Sequence, residues 1–155
     1  MRLFAVSLLL LFVPGCQKSS APISPAGAPP FQPPTATEVF NLRSKCAELG
    51  EKIMKNNVIG AGRTQSQLSH YEPKTNRCYV QLTVSPVDPA KGDDYFQQSL
   101  YDGQTGLVLA GIRRENGKKF GEIFADAHPM SGNPDEMYLD ATLFIGQMMV
   151  DDGTR

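Results

Sequence analysis

The chain has 155 residues, with 15 basic and 16 acidic side chains for a formal charge of −1, 12 prolines, three cysteines and no tryptophan. A balance this close to neutral excludes a general nucleic-acid role, which needs a basic footprint. The length allows one domain with one hydrophobic core, and no internal repeat is present.

Met1 to Cys16 places a cation at Arg2, an 11-residue apolar run from Leu3 to Val13, and then Pro14-Gly15-Cys16. A run this short does not span a hydrocarbon core, which needs about 20 residues. It has the make-up of an export signal. Carried by Val13, Pro14, Gly15 and Cys16, the pattern resembles a bacterial prolipoprotein signal peptide. That resemblance implies removal of residues 1–15 and lipidation of Cys16, giving a multiply acylated, palmitate-bearing membrane anchor. Because Gln17 and not Asp follows the cysteine, it further implies the outer membrane of a Gram-negative cell, with the domain facing the periplasm. An ordinary secretory signal, cleaved among the small residues of 19–28, is the alternative. Loss of Arg2 leaves 14 basic residues against 16 acidic, a formal charge near −2.

Residues 16–35 are expected to be the lipid anchor and a disordered linker. Pro22, Pro25, Pro29, Pro30, Pro33 and Pro34 alternate there with Ser, Ala and Gly, a composition with too little apolar surface to offset ordering entropy. As a flexible coil, the 18 residues from Gln17 to Pro34 average about 23 Å, and as polyproline II they reach about 55 Å.

Residues 36–152 read as one α+β domain. Thr35 and Glu38 have capping-box spacing, and Val39, Leu42, Cys46, Leu49 and Ile53 make one apolar stripe on a helix over about 37–55. A strand at 65–71 turns through 73–76 into a strictly alternating strand, with Cys78, Val80, Leu82 and Val84 on one face. Strands at 95–101 and 107–114 flank Asp102-Gly-Gln-Thr-Gly106, and Asn116-Gly117 joins the second of them to a strand at 118–125. Asn133, Pro134 and Glu136 suit the cap and first turn of a last helix, whose buried side is Tyr138, Ala141, Phe144, Ile145 and Met148. The expected product is a four- to five-stranded antiparallel sheet with both helices on one face, a two-layer sandwich. From Cys46 to Asp102 the chain is similar, loosely, to uncharacterised secreted bacterial domains, and that likeness carries no activity.

With Cys16 assigned to lipid, Cys46 and Cys78 remain as a pair, which export favours oxidising into a helix-to-sheet bridge. A redox or metal role is the alternative, although neither cysteine belongs to a C-x-x-C motif. Arg113, Arg114, Lys118 and Lys119 gather at one hairpin tip. They mark either a solvated end or a patch for an anionic partner, at about 1 kcal/mol per cation near a charged surface.

His128, Met130, Met137, Met148 and Met149 are soft-ligand candidates without repeated spacing, so core packing is the simpler role for the methionines. His70 reads as a structural strand residue. Ser66, Ser69, Ser85, Ser99 and Ser131 lack a nucleophile-elbow context. Asp93-Asp94 and Asp151-Asp152 read as solvated pairs, Asp135 and Glu136 as companions of a helix N-terminus. Gly60-Ala-Gly62-Arg63 fits no phosphate loop. The expectation is therefore a non-enzymatic binding or accessory module, without cofactor, held to a membrane by lipid and meeting a protein or envelope component. An enzyme with a dispersed site near His70 and His128, and a metal-binding accessory protein, are the alternatives.

Overall fold

Thr35 opens the first helix, as its spacing to Glu38 predicts. Its hydroxyl accepts the Glu38 N–H at 3.3 Å while the Glu38 carboxylate accepts the Thr35 N–H at 2.7 Å, a reciprocal capping box. The structure, a computed structural model, describes residues 34–88, 90, 92–125 and 132–150. The signal segment, Cys16, the tether, His128, Met130, Ser131, Asp151 and Asp152 lie outside the described residues. Helix α1 spans Ala36–Asn56. At its end Asn57 gives both its N–H and its side-chain amide to the Ile53 carbonyl, which satisfies groups that a helix terminus leaves open.

Five strands follow as an antiparallel meander in chain order: β1 (Arg63–Glu72), β2 (Arg77–Pro86), β3 (Phe96–Asp102), β4 (Val108–Glu115) and β5 (Lys118–Ile123). The turns carry the predicted residues. Asn116 and Gly117 both have positive φ, 52° and 71°, the two-residue turn that suits right-twisted strands. The Asp102 carboxylate accepts the N–H groups of Gln104 and Thr105, and Gly106 takes φ 75°. Helix α2 (Pro134–Met148) has Pro134 in its first turn and a second capping box between Asn133 and Glu136.

The placement of the helices differs from the two-layer expectation. Cys46 and Ile53 of α1 pack with Tyr71, Cys78, Val80, Leu82 and Tyr101, whereas Ala141 and Ile145 of α2 pack with Tyr79, Leu100, Ala110 and Ile112. Tyr79 alternates with Cys78 and Val80 along β2, and Leu100 with Tyr101 along β3, so the two sets lie on opposite faces. The register agrees, with Val80 opposite Tyr101, Gln81 opposite Leu100 and Leu100 opposite Ala110. The architecture is three layers, α1 over β1–β2 on one face and α2 over β4–β5 on the other. The physical reason is visible in β2 and β3, which carry buried side chains on both faces and therefore need cover on both.

The helix-to-sheet bridge forms as expected. Cys46 and Cys78 are disulfide-bonded, with 5.5 Å between their Cα atoms, and both are buried.

Candidate functional site

Diagonal cover leaves half of each face open, and the two open halves differ in chemistry. On the α2 side, β1 and β2 present Thr64, Ser66, Leu68, Gln81, Thr83 and Ser85, a nearly all-polar surface suited to water. On the α1 side, β3 to β5 present Val108, Phe120 and Phe124 around the half-buried Gln97, with Ser99 and Tyr101 buried next to it. Phe120 and Phe124 are 46% and 54% exposed. Clustered exposed apolar surface of this kind marks an interaction site more often than isolated residues do.

Two hollows share this second surface. A broad groove of about 770 Å³ lies over β3, β4 and β5, and Pro134 and Met137 of α2, the helix on the other face, also contribute to its lining. A smaller hollow of about 360 Å³ lies over β1 to β3, walled by the 57–61 loop after α1. Gln97, Ser99 and Tyr101 line both. The central strand is thus a floor common to both hollows, which together make up the trough.

That floor is tied together by side chains. The Tyr95 phenol donates to Gln97 Oε1 at 2.6 Å, Gln97 Nε2 donates to Ser99 Oγ at 3.3 Å, and the Tyr101 phenol donates to Asn57 Oδ1 at 3.1 Å. Burial pushes the Tyr101 phenol above its ordinary pKa, opposed by a hydrogen bond from Ser99. At the mouth of the smaller hollow the Arg63 guanidinium pairs with Asp93 and lies over the Tyr95 ring, 4.0 Å from its centroid.

The four cations of the β4–β5 hairpin divide between the faces. Arg113 and Lys118 belong to the trough face, Arg114 and Lys119 to the α2 face. Arg113 lies over Phe120 at 5.0 Å and reaches Glu115 at 3.9 Å. Arg114 donates to the Asp94 carbonyl, and Lys119, which also contributes to the groove's lining, meets Asp135 at 2.9 Å. The two aspartates expected to be solvated have structural work: Asp93 anchors Arg63, and Asp94 accepts the N–H groups of Asn116 and Gly117.

His70 stands opposite Tyr79, on the face away from the trough. Met148 and Met149 pack into the α2 core cluster, and Met137 lines the groove. Among the described residues no three His, Cys, Asp or Glu side chains are grouped as a metal site would require, and no helix is long and apolar enough to cross a membrane. Gly60 and Ala61 wall the smaller hollow, and Gly62 next to them has φ 79°.

The residues that sequence reasoning missed are Asn57, Gln97, Tyr101, Phe120 and Phe124. A signal exists for Gln97: it alternates with Phe96 and Gln98 near the start of an interior strand, where an amide on the α1 face marks the end of that face's core. No family model, curated protein or solved structure matches the chain.

Proposed function

We propose that this is a lipid-anchored cell-envelope protein acting as a non-enzymatic binding module, and that it grips a protein or envelope component with the trough face of its sheet. The observation carrying the binding role is the contrast between the two open half-faces. One is polar but for the single exposed Leu68, and the other groups Val108, Phe120 and Phe124 beside a hydrogen-bonded floor. Apolar side chains gathered around a few convergent polar groups are the usual make-up of a recognition site. Amides and phenols, the floor groups, do not supply a general base near neutral pH, and the elevated Tyr101 pKa moves that phenol further from such a role. Anchoring through Cys16, outer-membrane placement and the periplasmic orientation rest on the signal-peptide resemblance.

A photo-crosslinking residue at Phe120, compared in intact cells with one at Thr83 on the polar half-face, tests the binding role. Adducts are expected from position 120 alone. Equal yields, or none from position 120, would remove the trough as the contact. Palmitate-analogue labelling tests the anchor: label on the wild type and none on Cys16→Ser is expected, and label on both would reassign the acylation site.

A further inference from the structure

Resting on the binding role just proposed, we infer that the trough accepts a neutral, extended oligosaccharide laid across the strands. The floor is built from Gln97, Ser99, Tyr101 and Asn57, whose amides and hydroxyls both donate and accept hydrogen bonds. Sugar hydroxyls have the same dual character, so floor and ligand match group for group. Anionic ligands match poorly, because the cations that line the hollows are already answered, Lys119 by Asp135. Arg63 is held by Asp93 and the Tyr95 ring, and Arg113 by Glu115 and the Phe120 ring, while Glu122 stands on the same face as Arg113.

A wholly apolar ligand fits no better. Covering Gln97 with hydrocarbon would strand the amide hydrogen that its bond to Ser99 leaves over, at about 1–3 kcal/mol. An added peptide strand is disfavoured for a different reason. The floor is a sheet face, and the main-chain groups of β3 are consumed by β2 and β4 on either side, whereas strand addition needs an open edge.

The aromatic residues complete the match. The half-exposed Phe120 and Phe124 beside the floor offer flat apolar surface to the C–H faces of pyranose rings, leaving equatorial hydroxyls to the amides. The hollows, about 770 and 360 Å³ and sharing Gln97, Ser99 and Tyr101, lie within the range of small-molecule sites. Side by side on one floor strand, they suit a ribbon of several rings, the shape that β-1,4 linkage gives.

Calorimetric titration of the purified full-length protein, in a zwitterionic detergent, with β-1,4-linked tetramers of glucose and of N-acetylglucosamine tests this. At least one tetramer is expected to bind. Gln97→Leu and Phe120→Ala should each weaken it by tenfold or more, and Thr83→Leu on the other half-face should leave it unchanged. Gln97→Glu, which keeps the volume and polarity of the site, guards against a folding artefact and should also weaken binding. Failure of both tetramers to bind, or binding indifferent to Gln97 and Phe120, overturns the inference. A protein adduct from position 120 in cells, with neither tetramer bound, overturns the saccharide assignment and leaves the binding role standing.

Discussion

Gly121 of β5 and Met137 of α2 approach so closely that a Cβ built on Gly121 would stand 2.4 Å from the Met137 carbonyl oxygen and 2.5 Å from the Tyr138 Cα. Both obstacles are backbone, so a side chain cannot swing aside to make room. Gly121→Ala therefore has to lift α2 from the sheet, and overpacking of this kind costs about 1–3 kcal/mol. Gly146, in the same helix, has nothing within 4 Å of its would-be Cβ, and Gly146→Ala should instead stabilise by about 0.5–1 kcal/mol. Urea midpoints of the two variants should move in opposite directions from the wild type.

Ile53 and Ile145 are both buried, but under different helices and on opposite sides of the sheet. Truncating either to Ala should cost about 2–5 kcal/mol through lost burial and the cavity left behind. Since the two side chains share no core cluster, the double variant should equal the sum of the single ones within about 0.5 kcal/mol. A coupling well above that value would mean one shared core, as a two-layer sandwich would give. If the double variant no longer folds, Ile53→Val with Ile145→Val tests the same additivity at smaller cost.

The distance between residues that act together decides what could be read from the sequence. Local rules located every element: the Thr35–Glu38 and Asn133–Glu136 boxes, the Asn116-Gly117 turn and the alternation from Cys78 to Val84 all appear in place. The cysteine pair was legible because assigning Cys16 to lipid left one partner for each remaining thiol. Helix sidedness was not, since Tyr79 lies between Cys78 and Val80 and could be a solvated tyrosine as easily as the core of a second layer. The trough escaped for the same reason. Gln97 in β3 meets Tyr95 locally, but its relation to Asn57, Phe120 and Phe124 arises only when five strands are in register.

Cys46 and Cys78 close a loop across a sequence separation of 32 residues, tying α1 to β2. In the chain-entropy description, a loop of this length stabilises by about 3–4 kcal/mol. Cys46→Ala with Cys78→Ala should lower the urea midpoint accordingly, and the wild type under reducing conditions should approach the same value. If the reduced protein keeps the full oxidised stability, the bridge has no such role. Gly103 makes the pair less tolerant still, because a Cβ there would stand 2.5 Å from the Cys78 sulfur.

Asp94 gives a pH-dependent handle on the β4–β5 hairpin. The backbone N–H of Gly117 and that of Asn116 hold its carboxyl below the usual aspartate range, the Gly117 bond being the larger effect. A folded pKa below the unfolded one means that the stabilisation is complete above the unfolded value, and fades as pH falls through the folded one. Asp94→Asn should therefore lower the urea midpoint at pH 7 by a clear margin, and the gap to wild type should shrink as the pH approaches 2 to 3. Glu38 is lowered in the same direction by Thr35, so the comparison needs Glu38→Gln as a background. In that background the remaining acid sensitivity that Asp94→Asn removes belongs to the Asn116–Gly117 turn. A gap that stays constant from pH 7 down to 2 would show that the carboxylate charge is not what secures the turn.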